Sequence, residues 1–136
     1  DCKFKIIRED ETLEIGSVKV TAVPAYNVNK FRMGKIPFHS KGEGFGYIVE
    51  MDGVRVYHAS DTDFIDEMKK LKVDIALLPI SGKVVMDINE AAEAANAIKP
   101  KVVIPMHYNT LPGMNASPEE FAKLVSKDIR VVINPQ

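Results

Sequence analysis

The sequence predicts an α/β fold with a mixed sheet, and three observations carry that expectation. A period-two run folds back on itself around Asp52-Gly53, as a β-hairpin does, with Gly46-Tyr47-Ile48-Val49-Glu50 before the turn and Val54-Arg55-Val56-Tyr57 after it. Two nearly continuous apolar runs, residues 74–80 and 101–108, have the composition of buried parallel strands. Two helix starts accompany them: Asp87-x-x-Glu90 fits a capping box, and Ser117-Pro118-Glu119-Glu120 places Ser at the N-cap and Pro at the first helical position. Strands that alternate with helices call for parallel pairing, with the helices laid on the sheet.

Taken in order, Lys3-Phe4-Lys5-Ile6-Ile7 reads as a short strand. Leu13–Val23 alternates at Leu13/Ile15 and Val18/Val20 around Gly16-Ser17, which suggests two strand segments that Pro24 ends. Residues 25–46 show no period and carry Lys30, Arg32, Lys35, His39 and Lys41, a basic loop suited to an anionic substrate or merely solvated. Its Gly42-Glu43-Gly44-Phe45-Gly46 is no phosphate loop, because the Gly-Lys-Ser/Thr ending is missing and a strand follows. After the hairpin, Phe64, Met68 and Leu71 are spaced for a helix over 63–72. The capped helix at Asp87 should run to Ile98, and Pro100 closes it. The second should run from Ser117 to about Ser126, with a last strand at 129–133.

The chain has 136 residues, 46% hydrophobic and 27% charged, enough for one domain with a core or for part of one. A net charge of −1 gives no basic field for nucleic acid. No apolar run reaches the ~18–20 residues of a membrane span. One cysteine, Cys2, excludes an internal disulfide framework and suits a reducing, cytoplasmic setting. The start at Asp1-Cys2-Lys3 shows no signal peptide, and the missing initiator Met fits a processed, trimmed or fragmentary polypeptide.

The chemistry gathers at strand ends. Val54-Arg55-Val56-Tyr57-His58-Ala59-Ser60-Asp61-Thr62 begins as a strand and stops at an aspartate, and the 101–108 run stops at His107. Ligands and metals collect outside the carboxyl ends of such strands. A carboxylate and an imidazole meeting there would suit zinc, iron or manganese. Spacing alone leaves a second reading open, in which Asp61 is a helix N-cap and His107 a hydrogen-bonded strand-end residue. His39 is a lone loop histidine. His58, three residues before Asp61, should face the other way and be buried against backbone. No Ser-His-Asp arrangement stands out, since Ser60 and Ser81 lack the Gly-x-Ser-x-Gly elbow.

Across Tyr57-His58-Ala59-Ser60-Asp61-Thr62, Leu77-Leu78-Pro79-Ile80, Met86-Asp87 with Glu90-Ala91-Ala92, and Pro105-Met106-His107-Tyr108-Asn109-Thr110, the chain resembles the metallo-β-lactamase superfamily. The nearest branch is that of metal-dependent hydrolases similar to the L-ascorbate phosphate lactonases. The resemblance implies the carboxyl-terminal half of an αβ/βα sandwich, a mixed sheet with helices on one face. It implies two divalent ions, zinc first and manganese or iron as alternatives, with Asp61 bridging them and His107 as the last histidine ligand. Ser60 stands in the place of the family's glycine. Asn27 stands where related sequences often carry a ligand histidine, which leaves the third-motif ligand open between that position and His39 in Phe38-His39-Ser40-Lys41-Gly42, which could replace it. The family's His-x-His-x-Asp-His is nowhere in the chain.

The resemblance thus implies part of a hydrolase that attacks a lactone, ester, amide or phosphoester. Its partner would be an amino-terminal half of the same fold, as a separate chain or as residues outside this sequence. Lys41, Asn27, Tyr108 and Asn109 are the expected contacts to a small, anionic substrate. The alternative is a non-catalytic interaction module that covers its sheet by forming a homo-oligomer.

Overall fold

The computed structural model describes residues 5–109 and 114–134. Cys2, the start of the strand expected at 3–7, and residues 110–113 of the loop after the second apolar run lie outside them. The elements are β1 (Thr12–Ile15), β2 (Val18–Ala25), β3 (Phe31–Arg32), β4 (Ile36–Pro37), β5 (Gly44–Met51), β6 (Val54–His58), a 3-10 helix (Asp66–Lys70), β7 (Ile75–Pro79), α1 (Ile88–Ile98), β8 (Val102–Met106), α2 (Pro118–Leu124) and β9 (Arg130–Val131).

Among the described residues, seven strands form one sheet in the order β1-β2-β5-β6-β7-β8-β9, and β3 and β4 pair separately as a small hairpin. Pairing is antiparallel from β1 to β6 and parallel from β6 to β9, so the sheet is mixed as expected. The Asp52-Gly53 turn joins β5 to β6, and both its residues have positive φ. Gly46 on β5 has no room for a side chain: an added Cβ would lie 3.0 Å from the His58 carbonyl oxygen and 3.1 Å from that of Ala59.

The two faces of the sheet differ. Ile48, Tyr57, Ala76, Leu78 and Val103 are buried with the alanine-rich side of α1 (Ala91, Ala92, Ala94, Ala95, Ile98) and Phe121 of α2. Alanines keep that helix close to the strands, and the buried area is the main favourable term in folding. Strand alternation sends the intervening residues to the other face. Register lines up Val49, Val56, Ile75 and Val102 in one row, and Tyr47, His58, Leu77 and Ile104 in the next. None of these eight joins the core or packs against it. The sheet therefore carries a second apolar face, apart from the helices.

α1 begins with the expected capping box, Asp87 accepting from the Glu90 N–H while Glu90 accepts from the Asp87 N–H. Ser117 caps α2 as expected. Other boundaries differ from the sequence expectations. Residues 5–7 are not a strand. The helix expected over 63–72 contracts to the 3-10 turn, because Asp63 is drawn into the neighbouring loop and Ile65 stays extended. α2 stops at Leu124, where the Ser126 N–H turns aside to donate to Asn96 Oδ1 of α1. The last strand shrinks to Arg130–Val131. No described helix is long and apolar enough to cross a membrane.

Candidate metal centre

β2, β6, β7 and β8 all run toward one edge of the sheet, and the loops that follow them are stitched together there. The Asp63 N–H donates to the Tyr26 carbonyl, the Asn27 N–H to that of His39, the Met86 N–H to that of Thr62, and the Ile80 N–H to that of Met106. The buried Thr62 hydroxyl accepts from the Tyr26 N–H. These bonds bring residues from three distant parts of the chain onto one spot.

At that spot Asp61 faces two imidazoles. Its Oδ2 lies 3.3 Å from His39 Nε2, and its Oδ1 lies 3.5 Å from His107 Nε2. The opposite ring nitrogens are also engaged: His39 Nδ1 is 2.9 Å from Asn27 Oδ1, and His107 Nδ1 is 3.2 Å from Ser81 Oγ. Two of the residues that aim these groups have left-handed backbone, Ser60 with φ 58° and His107 itself with φ 55°. Non-glycine residues rarely adopt it, and such strain collects at functional sites.

The donor set suits a divalent ion. Nitrogen and oxygen ligands each about 2.0–2.2 Å from a tetrahedral zinc lie roughly 3.3–3.5 Å from one another. The Asp61–His39 and Asp61–His107 separations match that distance. Each pair uses its own carboxylate oxygen, so one carboxylate stands between two imidazoles. Among the described residues, no three His, Cys, Asp or Glu side chains form a group that could hold an ion by themselves.

Asn27 was expected to touch substrate, and its placement corrects that expectation. It is buried, its Nδ2 donates to Asp63 Oδ1 and to the Val84 carbonyl, and its Oδ1 accepts from the His39 N–H as well as facing the ring. No part of its amide is left for a ligand. Tyr108 is likewise buried in the core, its hydroxyl reaching the Asn134 carbonyl at 3.5 Å. Lys41 lies over the Tyr26 ring and 2.9 Å from Glu67, and the Glu67 hydrogen bond, then that of Tyr26, raises its pKa. Asn109 is exposed, with Oδ1 accepting from the Ala116 N–H. His58 is exposed where burial was expected. It does bond to backbone, its Nδ1 accepting from the Ser60 N–H, and it stands with Tyr47 on the second apolar face.

Asp63 carries no motif and was missed by sequence reasoning. Its carboxylate is wholly buried and accepts from Asn27 Nδ2, the Val28 N–H at 2.7 Å and the Asn29 N–H at 2.9 Å. Lys30 Nζ lies 3.5 Å away and also pairs with Glu90. Burial pushes the Glu90 carboxyl up, yet hydrogen bonds from Lys30, the Asp87 N–H and Asn29 outweigh it and hold the group below its usual value. Asp63 thus ties the β2 loop to the β6 loop. Ser81 was also overlooked, since it lacks any motif, and it supports His107.

Comparisons with known proteins identify the family and the fold. Residues 2–107 match the family described as the Beta-lactamase superfamily domain. A protein of Thermococcus onnurineus named a UPF0173 metal-dependent hydrolase is 44% identical over 125 residues, covering 88% of this chain and 54% of its own length. A solved structure from Parabacteroides distasonis superposes with a TM-score of 0.83 at 36% identity, over 97% of this chain and 58% of that one. Igni18, a metallo hydrolase from Ignicoccus hospitalis, gives a TM-score of 0.77 at 31% identity, over 93% and 55%. The chain spans little more than half the length of these relatives. By sequence match, fold and mixed-sheet topology alike, the chain belongs to the metallo-β-lactamase superfamily.

Proposed function

We propose that this chain is the carboxyl-terminal part of a metal-dependent hydrolase and supplies half of a two-ion centre. One observation carries the proposal: the two oxygens of Asp61 each face a histidine Nε2 from a different loop. Asp61 would bridge the ions, with His39 on one side and His107 on the other. A divalent pair in such a site supplies Lewis acidity and hydroxide at neutral pH. The bonds open to that chemistry are those of lactones, esters, amides and phosphoesters. Zinc fits the nitrogen and oxygen donors best, with manganese or iron as alternatives. Asn109, exposed two residues beyond His107, and the exposed Lys41 are the substrate contacts we retain. The single cysteine is the only support for a cytoplasmic setting.

The remaining ligands would come from an amino-terminal half that lies against the second apolar face of the sheet. The length of the relatives supports this. So does the face itself, whose apolar residues are only half-buried, since contiguous apolar patches left uncovered mark interaction surfaces. Calorimetric titration of the 136-residue chain tests it. The expected result is zinc binding with a Kd of about 1 μM or weaker, short of the ~10–16 kcal/mol of a complete structural site, and no turnover of a lactone and phosphodiester panel. Tight stoichiometric zinc with turnover by the chain alone would refute the half-site.

The same apolar face favours a second reading, a non-catalytic module that forms a homodimer through its sheet. A stable dimer by mass measurement, indifferent to zinc, would support it over the first.

A further inference from the structure

We propose that Asn27 is the positioning residue of His39: it fixes the imidazole proton on Nδ1 and leaves the Nε2 lone pair aimed at the space beside Asp61. The inference rests on the metal-centre proposal above, and it assigns a buried side chain the task of making that nitrogen a ligand for a divalent cation.

The argument is one of donors and acceptors. Asn27 is buried, and its amide has four neighbours. On one side are the Val84 carbonyl oxygen at 3.0 Å and Asp63 Oδ1 at 3.0 Å. A carbonyl only accepts, so the amide NH2 must lie there. On the other side is the His39 backbone N–H at 2.8 Å, which only donates, so the amide oxygen must lie there. The orientation of the amide is therefore set from both sides, and rotating it by 180° would break three bonds at once. The same oxygen stands 2.9 Å from His39 Nδ1. An oxygen cannot donate, so Nδ1 must carry a proton. In the neutral ring Nε2 then carries none.

That bare nitrogen lies 3.3 Å from Asp61 Oδ2, another group with only lone pairs to offer when ionised. Two acceptors facing each other repel unless something positive lies between them. A second ring proton would satisfy both at low pH, and a divalent cation does so when the ring is neutral; ligating histidines are held in this way by a second hydrogen bond at the far nitrogen. Asn27 differs here from Ser81, the equivalent support of His107. A hydroxyl donates or accepts, so Ser81 leaves the tautomer of His107 open.

Nitrogen-15 NMR of the ring nitrogens, recorded on the full chain at about pH 8.5, where an unperturbed imidazole is neutral, reads the tautomer directly. In the unaltered protein His39 is expected as the Nδ1–H form by about tenfold or more: the other form sets two lone pairs against each other at the buried Asn27 amide, whereas beside the 42% exposed Asp61 carboxylate water relieves the facing acceptors. A majority Nε2–H form would overturn the inference. Asn27→Ala is expected to abolish the preference at His39, and Ser81→Ala to leave it unchanged. An unaltered Nδ1–H signal in folded Asn27→Ala would also overturn it, and if that variant fails to fold the spectrum of the unaltered protein still decides. Added zinc should move the Nε2 resonance while Nδ1 keeps its proton. A zinc-induced loss of the Nδ1 proton contradicts the inference. An Nδ1–H tautomer that zinc leaves untouched supports the inference and counts against the metal centre instead.

Discussion

Ser60 and Asp61 show how a single backbone angle aims a functional group. Ser60 breaks β6 with φ 58°, which turns Asp61 away from the face that His58 occupies and toward the loops that carry His39 and His107. An L-residue other than glycine in that conformation loses about 1–2 kcal/mol. Gly in its place gives back part of this to chain entropy. Ser60→Gly should therefore raise the unfolding free energy by about 0.5–1 kcal/mol in urea titration, at unchanged m-value. A loss of stability would mean that the Ser60 hydroxyl contact with His58 Nδ1 outweighs the strain. At this scale Asp61 and His107 were legible, because each ends an apolar strand run. His39 was legible only through resemblance to a family, as its loop has no period. Asn27 and Asp63 were not, because a polar residue takes its meaning from what buries it, and those partners lie 12 to 57 positions away.

The loops after β2 and β6 behave as one element because of Asp63. Its carboxylate takes the Val28 and Asn29 N–H groups and the Asn27 amide, much as a capping residue takes the free N–H groups of a helix. Removing it orphans three donors at about 1–3 kcal/mol each, the buried Asn27 amide in full and the N–H groups of exposed Val28 and Asn29 with partial relief from water. Asp63→Ala should cost about 3 kcal/mol or more in denaturant unfolding and weaken zinc binding through the displaced Asn27 and His39. A cost below ~1 kcal/mol would show that the loop holds its shape by other means. Elements fixed by local chemistry were readable in advance: the hairpin from its Asp-Gly turn, α1 from its capping box, α2 from Ser117-Pro118. Elements decided by distant contacts were not. The apolar spacing at Phe64, Met68 and Leu71 is genuine, and Met68 is buried, but tethering of Thr62 and Asp63 leaves room for a 3-10 turn only. The β3–β4 hairpin, two residues a side, is too short to give any period.

Across the whole molecule, a helix-covered face and a second apolar face share one sheet, and the candidate ligands lie along one edge of it. The same alternation that buries Tyr57, Ala76, Leu78 and Val103 must present Val56, Ile75, Leu77 and Val102 on the opposite side. That second face was readable from the continuous apolar strand runs, since a strand covered on one face alternates whereas one covered on both does not. The relatives are nearly twice as long as the stretch this chain matches, and Asp61 offers one oxygen to each of two incomplete ligand pairs. Both facts support the proposed second half, which would cover the sheet and supply the remaining ligands. The most direct test mixes the chain with the part of the Thermococcus onnurineus relative that it does not match, adds zinc, and follows hydrolysis of a lactone and phosphodiester panel. Turnover should arise only with both polypeptides present, and Asp61→Ala should lower it by about 10³-fold or more, as loss of a group that supports both ions requires. Turnover that survives Asp61→Ala unchanged in the mixture would contradict the account.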